Sequence, residues 1–230
     1  GAKFVSINPI RTGYSSIADE WVSIRPGTDG LFVMALIHEL LKSGNFDTEY
    51  LVRYTNVHWL VIDAPGTSDH GLYARDAHSN TCFQDQKSGA ILSSCEPPDA
   101  PSLVGEVILE DGRKATPAFQ KLLERYLDDK YKPENVAETT GVSANTIKRI
   151  AIELAEVAFK QQIELPIVWE DVWGKTHNTV KGRPISMHAM RGISAHSNGF
   201  HTCRAIHILQ LLLGTIDVPG GMLYKPPYPK

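Results

Sequence analysis

The sequence predicts an α/β fold, a parallel or mixed sheet with helices on both faces, and three observations predict it. Short apolar runs rich in β-branched residues alternate with runs of helical period, as at residues 4–7 and 31–41. Two strand–turn–helix units stand out, one near each end, at 4–41 and 184–213. Between them the periodicity fades into turn clusters, so residues 57–115 are expected to form an irregular, β-rich insertion between core segments 1–56 and 116–230.

The first strand, 4–7, stops at Asn8-Pro9, where proline removes a ladder donor and asparagine favours a turn. A polar crossing leads to a second turn, Pro26-Gly27-Thr28-Asp29, and a helix follows through 31–41, stopped by Gly44. Asp47 starts a short helical segment to Tyr54, and 57–62 reads as a strand. Pro65-Gly66, Ser88-Gly89 and Pro97-Pro98 mark loops, and 103–109 with Asp111-Gly112 predicts a hairpin arm and its turn. Thr116 and Pro117 are read as the cap and first residue of a helix carrying Phe119, Leu122, Leu123, Tyr126 and Leu127. Pro133 opens another helix, Gly141 ends it, and Ser143 caps a longer one carrying Ile147, Ile150, Ala151 and Leu154. Residues 163–169 form a strand broken at Pro166, 173–183 a polar loop, and 184–190 a further strand. A small-residue turn at 192–199 then opens an apolar helix from about 200 to 213, closed by Gly214.

With 230 residues, 42% hydrophobic and 21% charged, the chain buries a core without staples and matches neither a disordered chain nor a membrane span. The apolar run 206–213 is far too short to cross a bilayer. A formal net charge of -3 argues against broad non-specific binding to nucleic acid or anionic membrane. Cys82, Cys95 and Cys203 are far apart with no Cys-x-x-Cys pair, so zinc, iron–sulfur and thioredoxin-like motifs are absent and a reduced, cytoplasm-like compartment is expected. A start at Gly1-Ala2 that runs at once into a strand, and an ending at residues 225–230 without a cap, are expected of a piece of a longer polypeptide.

In the first unit, Asn8 with Arg11 or Thr12 suits a ribose or phosphate, and the Asp29 carboxylate suits the N1–H and 2-amino group of a guanine. The alternative is a plain turn at Asn8-Pro9 and helix capping by Thr28 or Asp29. No Gly-x-Gly-x-x-Gly or P-loop pattern is present. In the second unit, a helix start with Arg191 and His196 nearby is an anion site in principle. His196, His201, Cys203 and His207 invite a metal reading, against which the mostly apolar helix argues for satisfied core residues. Residues 134–150 have the form of a DNA-binding helix-turn-helix that would show Asn145, Lys148 and Arg149 to a groove, or of an ordinary packing unit. Asp63, Asp69 and His70 are possible acid–base groups, or ordinary polar loop residues, and no Ser/His/Asp or Cys/His catalytic order is evident.

Together, Ile7-Asn-Pro-Ile-Arg-Thr12, Ala18-Asp19-Glu-Trp21, Ile24-Arg-Pro-Gly-Thr-Asp29, Tyr131-Lys-Pro-Glu-Asn-Val-Ala137 with Thr140-Gly-Val-Ser143, and Arg191-Gly192 through Gly214 to Pro219-Gly-Gly221 resemble the molybdopterin oxidoreductases of the dimethyl-sulfoxide-reductase family. The resemblance covers nearly the whole chain. It implies a Rossmann-like region of a catalytic subunit holding a bis(molybdopterin guanine dinucleotide) molybdenum cofactor, with oxygen-atom or two-electron transfer in the parent. By carry-over, Asn8, Pro9, Arg11, Thr12, Gly27, Thr28 and Asp29 would embrace the guanosine of one dinucleotide. Arg191, Gly192, Ser194, Ala195 and His196 match the segment lying near pterin and metal. Asn8 stands where Asp is frequent in the family and Ala195 where a polar residue such as Gln often stands. The family's [4Fe-4S] cysteines and molybdenum ligand would lie upstream, leaving this piece inactive alone and expected to hold no cofactor in isolation. The implied partners are a small-molecule substrate, an iron–sulfur electron-transfer subunit and a membrane anchor subunit, with no nucleic acid. Residues 188–199 and 225–230 most resemble the sulfite dehydrogenases within the family, near polysulfide and thiosulfate reductases.

Overall fold

The computed structural model describes residues 1–94, 98–171, 173–189 and 191–223. In chain order the elements are β1 (Val5–Ile7), β2 (Glu20–Val22), α1 (Asp29–Lys42), α2 (Thr48–Tyr54), β3 (Leu60–Asp63), β4 (Cys82–Gln84), β5 (Ile91–Ser93), β6 (Val107–Ile108), β7 (Lys114–Pro117) and α3 (Ala118–Tyr126). Then come α4 (Pro133–Thr140), α5 (Ala144–Lys160), β8 (Ile163–Leu165), β9 (Trp169–Glu170), β10 (Thr176–His177), β11 (Val180–Gly182) and α6 (Gly199–Leu213). Two compact units contain them. One holds Gly1–Phe46, Tyr126–Trp169 and the chain from Thr176 on; the other holds Asp47–Arg125 and Glu170–Lys175.

In the first unit the organising element is α1. Its apolar residues extend around most of the helix, and Phe32, Ala35, Leu36, Ile37, Leu40 and Leu41 are all buried. A helix apolar on so many sides needs neighbours on each, and α4, α5 and α6 supply them. Buried His38 on the same helix is satisfied by the Tyr126 carbonyl, 2.9 Å from Nδ1. Three of the caps and stops read from the sequence form as expected. Ser143 accepts the Thr146 N–H at the start of α5, Gly141 closes α4 at φ +75°, and Gly214 closes α6 at φ +65°.

The sheet is where expectation and structure part. β1 and β2 pair in parallel, with Val5 opposite Glu20, whereas β8 with β11, β3 with β7 and β6, and β4 with β5 are antiparallel. Every sheet has two or three strands, and no Rossmann-like parallel sheet forms among the described residues. Strands of two to four residues expose too little ladder to recruit further neighbours, and prolines at 9, 166 and 184 withhold donors at their ends. Residues 184–189 carry no strand: Pro184 lacks an N–H, and Ile185 N donates to the Arg183 carbonyl at 2.7 Å in a tight turn. Met190, Cys95 and residues 225–230 lie outside the described residues. β2 was hidden in the polar crossing because it is three residues long and begins with a charged Glu20.

In the second unit β3, β7 and β6 enclose a small core of Leu60, Ile62, Ala74, Cys82, Val107 and Ala115. The Asp111-Gly112 hairpin turn is present, with Gly112 at φ +83°. Thr116 and Pro117 do not start a helix. Register places them opposite Val61 and Leu60, at the end of β7, and α3 begins at Ala118. His58 is buried, edge-on to Phe83 with ring centroids 5.6 Å apart, and its Nδ1 has no hydrogen-bond partner among the described residues. Burial pushes its pKa from 6.5 down to about 4. The folded form therefore binds a proton less readily than the unfolded one. The resulting loss of stability is absent above pH 6.5, grows as pH falls, and is complete below about 4. Its full size is on the order of 3 kcal/mol. We expect thermal unfolding compared at pH 7 and pH 4.5 to show a larger drop for the native protein than for His58→Leu; parallel drops would remove this role from His58.

Candidate functional site

The two turn–helix segments, far apart in sequence, meet at their helix starts within the first unit. α1 packs on α6. Gly30, the second residue of α1, faces Thr202 so closely that a Cβ there would lie 2.6 Å from Thr202 Oγ1. Just before α1, Gly27 adopts φ +81°, a left-handed conformation that glycine takes at little cost. A Cβ at Gly27 would sit 3.7 Å from His196 Nδ1, so the 25–28 turn lies against the end of the 191–196 turn.

The first turn is braced from behind. Thr28 donates twice to the Arg25 carbonyl, through N at 3.2 Å and Oγ1 at 2.7 Å. Thr28 occupies the N-cap position, yet its hydroxyl points away from the helix and makes no cap bond. Asp29 is the first helical residue. It is half-buried, and its carboxylate has no hydrogen-bond or ion-pair partner among the described residues. The amides of Asp29, Gly30 and Leu31 have no acceptor there either, as befits a helix start. Capping by side chains, the plainer sequence reading, is therefore not what these two residues do. A carboxylate at this end is favoured by the helix dipole and still has both oxygens to offer.

The strand-end group is arranged differently. Asn8 is held by three bonds: its N–H to the Val22 carbonyl at 3.1 Å, its Oδ1 from the Ile10 N–H at 3.1 Å, and its carbonyl from Trp21 Nε1 at 2.9 Å. Its side chain thus shapes its own loop. Pro9, Arg11 and Thr12 are exposed, and the Arg11 guanidinium has no partner among the described residues. No hydrogen bond or ring contact joins residues 8–12 to either glycine-rich turn there.

The second turn is a single 3-10 turn, Arg191–Ser194, with Ser194 Oγ donating to the Arg191 carbonyl at 2.9 Å and Ala195 N to the Gly192 carbonyl at 3.2 Å. The chain then folds back so tightly that a Cβ on Gly199 would strike the Ser194 carbonyl. Arg191, Gly192, Ser194, Ala195 and His196 are all exposed, and the amides of Phe200 and His201 have no acceptor among the described residues. The two neighbouring turns between them offer a free guanidinium, free helix-start amides and a free carboxylate among the described residues. Such a set can grip an anionic group and read a base edge.

Other candidates resolve into structural roles. Among the described residues no three His, Cys, Asp or Glu side chains stand together as a metal site, so His196, His201, Cys203 and His207 do not form one. Lys148 pairs with Glu134, and Arg149 with Glu20 and Glu153, so the cations that a DNA groove would need are already engaged. Asp63 pairs with Lys121 at 3.2 Å and lies 3.6 Å from His70, and Asp69 pairs with Arg113 at 2.6 Å. Burial raises the Cys82 thiol, the opposite of an activated nucleophile. The residue that sequence reasoning missed is Arg25. Only its place beside the Pro-Gly turn pointed to it, and its bonds are all made to residues distant in sequence or to the turn itself.

No family model matches the chain. It is 47% identical, over its whole length, to a sulfite dehydrogenase subunit of Allochromatium vinosum, of which it spans 24%. A stretch making up 24% of the chain is 41% identical to 7% of the thiosulfate reductase molybdopterin-containing subunit PhsA of Salmonella typhimurium. In fold, 97% of the chain superposes on 19% of the acetylene hydratase of Pelobacter acetylenicus, with a TM-score of 0.52 at 17% identity. The chain therefore spans about a quarter of its long relative, or less of the others.

Proposed function

We propose that this chain, a relative of the molybdopterin oxidoreductase catalytic subunits, is the part of such a subunit that holds a molybdopterin guanine dinucleotide. The observation that carries the reading is the convergence of two turns on neighbouring helix starts, with the unpartnered Asp29 carboxylate on one and free Arg191 on the other. The donor set fits the group. Asp29 accepts from the N1–H and 2-amino group of guanine, the only common base presenting both donors on that edge. Arg191 and the free amides of Phe200 and His201 take the anionic phosphates. The Gly27 turn, with no side chain, lets His196 of the second turn lie against its backbone and so brings the two turns together. Residues 8–12 make no bond to the two turns among the described residues; their part in the grip is the one the family resemblance implies, with Arg11 and Thr12 exposed and free for ribose or phosphate.

When bound, the cofactor supplies two-electron or oxygen-atom transfer at molybdenum; this chain supplies binding and orientation. The parent's substrate, on this reading, is sulfite or another sulfur oxyanion, and its electrons pass to an iron–sulfur partner subunit, with a membrane anchor as a further partner. The cluster and the metal's protein ligand come from other segments of the parent, so the chain alone is inactive. To test the cofactor, the full-length protein is purified, its nucleotide released by acid hydrolysis and separated, and its metal measured. Guanosine monophosphate accompanying molybdenum is expected. Another nucleotide, or molybdenum without any nucleotide, would overturn the guanine assignment, and absence of both would overturn the reading as a whole.

A further inference from the structure

We propose that Arg25 is the positioning residue of the nucleotide-reading turn, and that the α4–α5 pair, the element that looks like a DNA-binding motif, is the mount on which it fixes that turn. This rests on the role given to Asp29 above.

Arg25 connects the turn to α4 through two donors, its backbone N–H and one guanidinium nitrogen. Its N–H donates to the Thr140 carbonyl at 2.8 Å and its Nη1 to the Glu138 carbonyl at 2.7 Å. Both acceptors lie in the last turn of α4, where carbonyls lack helical partners and a cation is favoured by the dipole. Its own carbonyl takes the two Thr28 bonds. Its stem runs across Gly141, where a Cβ would lie 3.4 Å from Arg25 Cγ and where φ is +75°. The acceptor end is itself rigid: Thr140 is fully buried, and its hydroxyl donates to the Val136 carbonyl at 3.0 Å and accepts from Val142 N at 3.2 Å.

The strand leading into Arg25 is tied to the same mount. Glu20, at the start of β2, binds Arg149 of α5, and Lys3 at 2.9 Å. Burial alone would raise the Glu20 carboxyl, but hydrogen bonds from Lys3 and Arg149 hold it below its usual value. The segment 20–25 is therefore pinned at both ends to α4 and α5. Between Arg25 and the start of α1, the hydrogen bonds of the turn are the two that Thr28 makes to the Arg25 carbonyl, so the turn's shape depends on where Arg25 is held. Asp29 is held on its far side by the packing of Gly30 on Thr202, and on its near side by the last residue before the turn that is bonded to another element. That residue is Arg25.

The test uses the full-length protein, native and with Arg25→Ala, Arg25→Lys or Asp29→Ala, prepared free of cofactor. Hydrogen exchange is read at the Thr28 and Phe32 amides, which are bonded to the Arg25 and Thr28 carbonyls. Binding of guanosine and inosine monophosphates is measured alongside; inosine lacks the 2-amino group, so their affinity ratio reports the bidentate contact. Arg25→Ala is expected to speed exchange at Thr28 and Phe32 but not in α5, to weaken guanosine monophosphate roughly tenfold, and to bring the ratio toward one. Arg25→Lys, which keeps a donor for Glu138, should recover part of both. A ratio unchanged by Arg25→Ala, or unchanged exchange at the two amides, overturns the proposal. A native protein that binds neither nucleotide refutes the reading of Asp29 instead, and the exchange measurement still decides whether Arg25 fixes the turn. Should Arg25→Ala fail to fold, the same comparison is made with Arg25→Lys, for which partial effects of the same sign are expected and none would count against the role.

Discussion

Gly199→Ala is expected to lower the melting temperature by about 5–10 °C and to empty the cofactor site. The added methyl has nowhere to go. It would lie 2.6 Å from the Ser194 carbonyl carbon and 2.8 Å from Ser194 Cα, and nearer still to the carbonyl oxygen. All three are backbone atoms, and Gly199 is buried, so no flexible side chain can give way. Either the Arg191–Ser194 turn swings off or the first turn of α6 unwinds. Overpacking of this kind costs ~1–3 kcal/mol, and immovable neighbours place it at the upper end. For a chain of this size each 1 kcal/mol moves the melting temperature by about 2–4 °C. A control separates backbone from side-chain crowding. Gly30→Ala meets the Thr202 hydroxyl, so Gly30→Ala with Thr202→Ala removes the clash and recovers about 1 kcal/mol of helix propensity. That pair should melt near the native temperature and keep its nucleotide. A Gly199→Ala protein that melts within a degree of native would show that the turn is slack and not the rigid frame described.

Why the sequence revealed some of this and not the rest follows from the range of each interaction. Caps and stops are local, and Asp47, Ser143, Gly141 and Gly214 act as their residue types and neighbours predict. The helices were legible because α1 and α6 repeat their apolar residues over fourteen and fifteen positions. Sheet topology was not, because strands of two to four residues carry almost no pattern and their pairing is decided by distant partners. Thr116-Pro117 shows the ambiguity in one place: a hydroxyl residue before proline suits a helix start, yet pairing with Val61 and Leu60 turned it into strand. The site was half legible. Residue types at 27–29 and 191–196 suggested binding, but their proximity depends on α1 crossing α6 at Gly30 and Thr202. Arg25 was illegible for the same reason, since its partners in α4 sit more than a hundred residues away.

Asp29→Asn is expected to weaken guanine binding on the order of a hundredfold while barely changing stability. Losing one of two charge-assisted hydrogen bonds, the charge behind the other, and gaining a donor–donor repulsion together cost about 3 kcal/mol, which is that factor. Asparagine is the informative substitution because it keeps size and shape. It retains one acceptor oxygen but turns the other into an NH2 donor facing a donor on the base, so one bond is lost and a repulsion gained. The fold should tolerate it, because the Asp29 carboxylate bonds nothing among the described residues and contributes to α1 only through the dipole, roughly 0.3–1 kcal/mol. The full-length Asp29→Asn protein should therefore melt within a few degrees of native while carrying much less guanosine monophosphate after acid release. A structural role for Asp29 predicts the reverse pattern, lower stability with nucleotide content retained. If the Asn variant keeps its guanine and loses stability, the carboxylate serves the helix start and the base is read elsewhere; if both fall together, the Asp29→Ala variant, which removes the repulsion but not the dipole loss, tells them apart by regaining part of the binding.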